Sequence, residues 1–160
     1  MIRVRRAVQD DVQGIMNLLD QVLYVHHLIR PDLFRETGSK YTVEELKAII
    51  DNDKTPVFVA IDENQVLVGH SFVIMEDHFG PCHTGYKTAY IDDLCVDTEC
   101  RGEHVGKQLF EYVKEYSKEQ GCHNITLHVW EGNDNARGFY EAMGMKAYMT
   151  GMEVVIDELR

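Results

Sequence analysis

Several common signals are missing from this 160-residue sequence, and each absence excludes a class of protein. No apolar stretch approaches the roughly 20 residues that cross a bilayer. The first residues, MIRVRRAVQDD, lack the apolar core of a secretory signal, so we expect a cytoplasmic protein. Basic residues are scarce: Lys and Arg number 16 against 27 Asp and Glu, giving a net charge of −11. Nucleic acids and anionic membranes bind basic patches, so the charge disfavours both as partners and suits cationic or neutral small substrates.

Nucleotide and metal motifs are missing as well. The chain contains no GxxxxGKS, GxxxxGKT or GxGxxG, so neither a P-loop nucleotidase nor a dinucleotide-binding protein is indicated. The four cysteines form no CxxC pair, which favours reduced thiols over disulfides. The HxxxCH spacing of residues 78–83 offers no closed set of four ligands, so we predict no metal site. His26, His27, His78, Cys82 and His83 are of metal-ligating types, but their spacing is typical of no metal-binding motif.

The features that are present centre on residues 90–106, YIDDLCVDTECRGEHVG. The first half is an apolar run with the length and content of a buried strand, interrupted by Asp92 and Asp93. From residue 105 onward, apolar residues recur at spacings of three and four, which predicts a helix. Between strand and helix, residues 101–106 form a glycine-bearing turn. Unpaired amides at the helix start, together with the helix dipole, favour a phosphate-bearing ligand there.

The rest of the sequence predicts one mixed α/β domain over residues 1–160, because a chain of this size with 44% apolar residues can bury a core. Gly69 is expected at a bulge or close approach. The predicted strands are 2–6, 56–61, 66–75, 90–96, 125–130 and a closing hairpin of 146–149 and 152–156. The predicted helices are 10–23, one from the Thr42 capping box to about 53, one from 105, and one from Asn133 to Gly144. A loop or broken helix is expected over 24–40, where the helical pattern weakens, and a mobile loop or the hairpin connection into the central strand over 77–87.

Two runs resemble the GCN5-related N-acetyltransferase (GNAT) family, whose members move an acetyl group from acetyl-CoA to an amine. The runs are VDTECRGEHVGKQLFEYV and NDNARGFYEAMGM. The family's pyrophosphate loop reads Arg or Gln, two residues, Gly, one residue, Gly or Ala. Arg101 and Gly106 fit the ends of this loop, whereas His104 stands at its middle glycine. The residues of the second run at the family's spacing are Asn133, Ala136, Tyr140 and Gly144.

The resemblance implies a GNAT acyl-CoA N-acyltransferase fold: a twisted, mostly antiparallel sheet of about seven strands with helices on both faces. It also implies acetyl-CoA as the donor, inserted beside the central strand and held by the loop that follows it. The cofactor contacts implied are Leu94, Cys95, Val96, Arg101, Gly102, Glu103, His104, Val105, Gly106, Lys107, Asn133, Ala136 and Tyr140. Arg101 and Lys107 also suit a solvated face, Asn133 a simple helix cap, and His104 a structural helix start.

Catalysis is expected from Asp92, Asp93 and Tyr140. On adjacent positions of a regular strand, the two aspartates point to opposite faces, so at most one should enter a given cleft directly. Such a carboxylate can take a proton from the amine, but the sequence leaves open which one does, and both also suit a solvated strand end. Tyr140 is a core residue by its spacing, whereas the resemblance implies that it protonates the coenzyme A thiolate. Cys95 is interpreted as a small buried residue and not as a nucleophile.

The acceptor is the least specified part of the reaction. Residues 24–40 fall where the family builds a variable acceptor site, so Tyr24, His26, His27 and Asp92 are expected to line it, with surface loop positions as the alternative. The acidic chain suits a small cationic primary amine, such as a polyamine, an aminoglycoside or an amino-acid derivative, attacking directly in a ternary complex. A protein N-terminus or lysine is the alternative acceptor, and a non-catalytic acyl-CoA-binding sensor is the alternative function. A homodimer is the expected assembly, although no sequence pattern specifies it.

Overall fold

The computed structural model describes residues 1–157, and these residues form a five-stranded sheet in the order β1-β2-β3-β4-β5. Strands β1 to β4 pair antiparallel, and β5 joins β4 in parallel. The strands are β1 Arg3–Arg6, β2 Val57–Ile61, β3 Leu67–His78, β4 Tyr86–Val96 and β5 Asn124–Leu127. The helices are α1 Val12–Ile29, α2 Val43–Ile50, α3 Val105–Glu119 and α4 Asp134–Ala142.

Helices cover both faces of the sheet, as predicted. Successive residues of β2 point to opposite faces, so this wholly buried strand contributes to two cores. On one face, Val57 and Val59 pack in one core with residues of α1 and α2. On the other face, Phe58 and Ala60 pack with residues of α3. Each fully buried aliphatic or aromatic side chain contributes about 1.5–3 kcal/mol, so the sheet holds the helices firmly on either side.

Local sequence signals place several elements as predicted. The Thr42 side chain accepts a hydrogen bond from the Glu45 amide at 3.1 Å, and the Glu45 carboxylate accepts one from the Thr42 amide at 2.8 Å. Gly69 lies at a close approach of sheet and helix. A Cβ at this position would stand 2.9 Å from Leu109 Cδ1 and 3.1 Å from the Cys95 carbonyl oxygen, so a side chain there would push α3 away from the sheet.

The two connecting segments predicted over 24–40 and 77–87 contain more regular structure than a loop would. Helix α1 continues to Ile29, immediately before Arg30 and Pro31, because the residue before a proline is disfavoured in the helical conformation. The segment over 77–87, predicted as a mobile loop or the hairpin connection into the central strand, is the connection of a long hairpin, since the pairing of β3 with β4 extends to His78 opposite Tyr86. Their rings stack with centroids 4.5 Å apart. Such cross-strand contacts decide where a hairpin ends, and they are not visible in local turn signals.

The prediction of about seven strands is wrong for the described residues, which contain five. Residues 146–157 form neither strand of the predicted closing hairpin. Their apolar side chains are exposed, among them Tyr148, Met149, Met152, Val154 and Ile156. β-Propensity reflects packing against neighbouring strands, and here the segment has no neighbouring strand.

Among residues 1–157, no helix combines the length and apolar content needed to cross a membrane.

Candidate active site

A bulge in β4 organises the polar centre of the molecule. Phe72 of β3 pairs with Asp93, and the next residue, Val73, pairs with Ile91, which leaves Asp92 as an extra residue. A bulge breaks the simple alternation of side chains along a strand. The prediction that Asp92 and Asp93 point to opposite faces is therefore wrong: their partners lie on the same side of the sheet, around the Phe72 ring.

Asp92 binds two groups of the loop between α1 and α2. Its Oδ2 accepts hydrogen bonds from Lys40 Nζ at 2.8 Å and from Tyr41 Oη at 3.2 Å. Burial lowers the pKa of Lys40, but the hydrogen bond and the negative charge of Asp92 outweigh it and raise that pKa overall. The ammonium of Lys40 therefore stays charged at neutral pH.

The side chain of Asp93 is more buried than that of Asp92. Its side chain is 8% exposed, and its Oδ2 lies 2.6 Å from Nε2 of His70, which is fully buried in β3. The His70 ring packs edge-on against Phe72 at a centroid distance of 5.0 Å. A buried carboxylate without a partner would cost several kcal/mol, so this short hydrogen bond is what makes the burial of Asp93 tolerable.

Tyr140 and Cys95 lie within electrostatic range of Asp93. Burial, then the charge of Asp93 and then Cys95, raise the pKa of Tyr140, which keeps the phenol protonated. Burial, followed by Asp93, raises the pKa of the Cys95 thiol to about 12. A protonated, buried thiol is a poor nucleophile, in agreement with the packing role predicted for Cys95. Tyr140 is placed by α4, where it contacts the rings of Phe110 and Phe139.

The far half of β4 has an open backbone edge. Strand β5 pairs with β4 only as far as Ile91 opposite Leu127. Beyond that point, Leu94, Cys95 and Val96 have no strand beside them on the β5 side within residues 1–157. The gap expected between the central strand and its neighbour is therefore present, and an extended ligand could hydrogen bond to this edge as an additional strand would.

A second set of backbone donors lies where α3 begins. The first helical hydrogen bond runs from the Gln108 amide to the His104 carbonyl at 3.0 Å. The amides of Val105, Gly106 and Lys107 therefore precede the first helical bond and have no partner within the helix. Arg101 and Lys107 are exposed cations at this turn, and Glu103 is an exposed anion. The turn suits a phosphate group, with Glu103 as the one opposing charge among residues 101–107.

The conformation of His104 explains why glycine suits its position. His104 adopts φ 61° and ψ 20°, the left-handed region that non-glycine residues rarely occupy. Its side chain makes no capping hydrogen bond and is exposed. Gly106 has another constraint, because a Cβ there would lie 3.3 Å from the Phe139 ring. Gly106 thus lets α4 approach the start of α3, which brings Tyr140 to the same region.

The helix cap at Asn133 forms as predicted. The Asn133 side chain accepts a hydrogen bond from the Ala136 amide at 3.3 Å. This cap begins α4 and so positions Tyr140 about two turns later.

Three of the residues predicted to line the acceptor site, Tyr24, His26 and His27, lie on the last turns of α1. His26 faces the polar centre: burial lowers its pKa, against an opposing effect of the Asp93 charge. His27 has a structural partner, since its Nδ1 lies 2.8 Å from the Phe34 carbonyl oxygen. Tyr24 is about half exposed, and no ring contact or side-chain hydrogen bond joins it to Asp92 or Asp93 in the described residues.

An aromatic and ionic cluster borders His26. The Phe34 ring contacts His26 at 5.1 Å and meets Trp130 edge-on at 5.8 Å. The Arg30 guanidinium lies 5.5 Å from the centre of the Trp130 ring and binds Glu153 of the exposed C-terminal segment at 2.7 Å. This cluster connects the end of α1, the segment that follows β5 and residues 146–157.

Sequence reasoning missed Lys40, Tyr41 and His70. His70 carried a usable signal, because a lone histidine inside the apolar run VLVGHSFVIM is a polar group at a buried position. Lys40 and Tyr41 carried none, since only the folded α1–α2 loop brings them to Asp92. No group of three or more His, Cys, Asp or Glu side chains in residues 1–157 is arranged to hold a metal ion.

Comparison with known proteins identifies the fold independently. The Acetyltransferase (GNAT) family profile matches residues 22–145. A mutant of the BH1408 protein from Bacillus halodurans superposes with a TM-score of 0.91 at 30% identity, covering 96% of this chain and 99% of that one. Glucosamine 6-phosphate N-acetyltransferase of Arabidopsis thaliana is 24% identical over 86% of this chain and 85% of its own length.

A bovine relative matches more locally. Thialysine N-epsilon-acetyltransferase of Bos taurus is 30% identical over 41% of this chain, and the match spans 45% of that enzyme, less than half of its length. The family profile covers more than half of the chain, and it includes the bulged strand, the amide turn and Tyr140. The chain therefore belongs to the Acetyltransferase (GNAT) family and is an N-acetyltransferase.

Proposed function

We propose that the enzyme moves the acetyl group of acetyl-CoA to the primary amine of a small cationic acceptor, by direct attack in a ternary complex. One observation carries this proposal: Asp92 already binds a primary ammonium, that of Lys40, at 2.8 Å. An acceptor ammonium can replace Lys40 in the same hydrogen bond. The relatives named for thialysine and glucosamine 6-phosphate support a small amine as acceptor.

The proposed site has two parts, a cofactor side and an acceptor side. The cofactor side comprises the open β4 edge at Leu94, Cys95 and Val96, together with the turn and helix start at residues 101–107. The acceptor side comprises Asp92 with Lys40 and Tyr41, and Asp93 with His70, bordered by His26. The cofactor side fits acetyl-CoA, because its unpaired amides and exposed cations suit a pyrophosphate, and its open edge suits an extended amide-bearing arm.

Acetyl-CoA supplies an activated thioester carbonyl. At the open edge, the backbone amide of Cys95 or Val96 donates a hydrogen bond to the acetyl oxygen in this proposal, where negative charge develops. Asn133, Ala136 and the other residues implied by the family resemblance complete the proposed contacts around this arm and the phosphates. Tyr140, kept protonated by burial, donates its phenolic proton to the departing sulfur.

The two carboxylates take separate roles in this proposal. Asp92 is the more exposed and already paired with a cation, so it binds the acceptor ammonium. Asp93 is the buried carboxylate, and its charge contributes to the raised pKa values of Tyr140 and Cys95. We assign to Asp93 the removal of a proton from the acceptor ammonium, which makes the amine nucleophilic. Neither role requires the Cys95 thiol.

The test is acetyl-CoA-dependent release of free thiol with a panel of amines: spermidine, putrescine, glucosamine 6-phosphate and a lysine-bearing peptide. We expect turnover with a small diamine or polyamine. Asp92→Asn should raise the acceptor KM about tenfold or more, since a hydrogen bond between charged groups contributes about 1.5–3 kcal/mol. Asp77→Asn, an exposed aspartate on β3, is the matched control and should leave that KM unchanged. Cofactor binding without thiol release for any amine would favour the non-catalytic sensor.

A protein lysine is the second candidate acceptor. It is favoured by the same contact, because the group that Asp92 binds is itself a lysine side chain. Turnover of the lysine-bearing peptide above that of every small amine would support this candidate over the first.

We also propose that residues 146–157 meet a second copy of the chain in a homodimer. Strand β5 is the last strand of the sheet in the described residues, and the exposed apolar side chains of this segment follow it in sequence. Met152→Asp, at a residue 89% exposed, should shift the protein from dimer to monomer in light scattering. A monomeric wild-type protein would contradict the homodimer.

The cytoplasmic location stays a prediction.

A further inference from the structure

His70 is an unusual occupant of its position in β3. Its side chain is fully buried, and one ring nitrogen, Nε2, lies 2.6 Å from Asp93 Oδ2. The other nitrogen, Nδ1, is buried and has no hydrogen-bond partner within residues 1–157. Burying an unpaired polar atom is unfavourable, and a hydrocarbon side chain of similar size would avoid that penalty. Packing alone therefore does not account for an imidazole here.

The unpaired Nδ1 indicates which proton state the ring adopts. In the imidazolium, Nδ1 would carry a buried N–H donor and part of a positive charge without an acceptor. In the neutral ring with its proton on Nε2, Nδ1 is only an unpaired acceptor, and the Nε2 proton points to Asp93. The geometry thus favours a neutral His70 that donates to an ionised Asp93. The second carboxylate oxygen, Oδ1, has no hydrogen-bond partner in the described residues, so it is available to a ligand.

We propose that His70 is the positioning residue of the acetyl transfer: its neutral Nε2–H holds Asp93 Oδ2 in place and keeps the carboxylate ionised, leaving Oδ1 to accept the proton of the acceptor ammonium. This inference rests on the proposed function, in which Asp93 is the base. In the transfer, the ammonium proton moves to Oδ1, the amine nitrogen bonds to the acetyl carbon, and the carbon–sulfur bond breaks. The sulfur receives its proton from Tyr140, and the Tyr140 phenolate then takes the second proton from the acylated nitrogen, which leaves a neutral amide and restores the phenol. His70 keeps its own proton throughout.

The groups that surround Asp93 come from several elements, and all of them bear on how activity depends on pH. They are His26 of α1, Lys40 of the α1–α2 loop, His70 of β3, Asp92 and Cys95 of β4, and Tyr140 of α4. Substitutions at His70 alone leave the other five in place. Because His70→Leu and His70→Gln both lack the imidazole, a difference between their pH profiles is due to the hydrogen bond to Asp93.

The test compares His70→Leu with His70→Gln, whose side-chain amide nitrogen can replace Nε2 as a donor. His70→Leu should lower kcat about 10- to 100-fold, the range expected for losing a hydrogen bond to a charged group. Both KM values should stay within about twofold, and the acidic limb of the kcat profile should move to higher pH, because a carboxylate without its donor is protonated more easily. His70→Gln should restore kcat to within about threefold of wild type.

Ser71→Ala is the matched control, because Ser71 is the adjacent buried residue and its Oγ also has no partner in residues 1–157. It should leave kcat and the pH profile unchanged. Equal kcat and pH profiles for the Leu and Gln variants would overturn the positioning role, as would a loss that appears only in the acetyl-CoA KM. If wild type releases no thiol with any amine, the proposed function fails and the role of His70 fails with it. Wild-type turnover with equal variants overturns the role alone.

A second measurement needs no substitution and no activity. Nitrogen-15 chemical shifts of the His70 ring in the wild-type protein should report the neutral form with the proton on Nε2, from pH 6 to 8. An imidazolium, or a ring protonated on Nδ1 alone, would overturn the proposal even if the variants fold poorly.

Discussion

The proposed cofactor side and the proposed acceptor side of the site differ in the atoms that they offer. On the cofactor side, the donors are backbone amides: the open edge of β4 and the unpaired start of α3. On the acceptor side, the contacts are side chain to side chain, Lys40 with Asp92 and His70 with Asp93. Backbone donors are present at every non-proline residue and are placed by the fold, whereas side-chain pairs depend on particular residues far apart in sequence. Acceptor specificity can therefore change while cofactor binding is kept.

The largest expected effect lies where the two sides meet. Tyr140→Phe removes the proposed proton donor without removing the ring, so kcat should fall by about 10²- to 10⁴-fold with little change in either KM. Steady-state kinetics with both substrates varied measures this. Tyr112→Phe, on the exposed part of α3, is the control and should retain full activity. Unchanged turnover in Tyr140→Phe would remove Tyr140 from the mechanism.

The burial of the Cys95 thiol should make the folded protein less stable at alkaline pH. The Cys95 pKa is raised from 9.0 to about 12 in the folded protein. The neutral thiol is therefore favoured by the fold, and its contribution is fully present below pH 9 and lost as the pH rises from 9 to 12. The loss amounts to at most about 4 kcal/mol in the free energy of unfolding.

Denaturant unfolding at several pH values measures that loss, with Cys95→Ala as the variant and the exposed Cys82→Ala as the control. Cys95→Ala should have a shallower decline above pH 9 than wild type, and Cys82→Ala should match wild type. A decline that is equally steep in all three proteins would contradict a buried, protonated Cys95.

The turn before α3 can be tested through its strained residue. His104→Val places a β-branched side chain at φ 61° and should destabilise the protein by about 1–2 kcal/mol. His104→Gly should change stability by less than about 1 kcal/mol, because relief of strain is offset by the added freedom of the unfolded chain. Thermal unfolding of the two variants measures the difference. Equal stability of the valine and glycine variants would mean that His104 is not left-handed in solution.

The smallest expected effect concerns Lys40. Lys40→Met frees Asp92 for the acceptor, so the KM of a cationic amine should fall about 1.5- to 5-fold, as expected for the loss of a partly exposed ion pair worth about 0.2–1 kcal/mol. The acetyl-CoA KM should stay the same. Lys47→Met, at an exposed pair with Glu44 on α2, is the control. A higher acceptor KM in Lys40→Met would instead make Lys40 a binding residue.

The sequence predicted the local geometry of the proposed cofactor side better than that of the acceptor side, for a physical reason. The amide turn and the cap at Asn133 are local features, in which the interacting residues lie within a few positions, so spacing alone indicates them. The bulge at Asp92 is a matter of register between β3 and β4, and adjacent aspartates were therefore wrongly expected on opposite faces. Lys40 and Asp92 lie 52 positions apart, and no local pattern reports such a contact. The prediction of two C-terminal strands was wrong for the same reason, because a strand forms only where another strand pairs with it.

The division into two sides can be tested directly by amide chemical-shift mapping. Acetyl-CoA should shift the amides of Leu94, Cys95 and Val96 and those of residues 101–107, and leave Lys40 and Tyr41 unchanged. A later addition of spermidine should then shift Lys40, Tyr41 and Asp92. If acetyl-CoA instead shifts Lys40 and Tyr41 and leaves residues 101–107 unaffected, the assignment of the two sides is wrong.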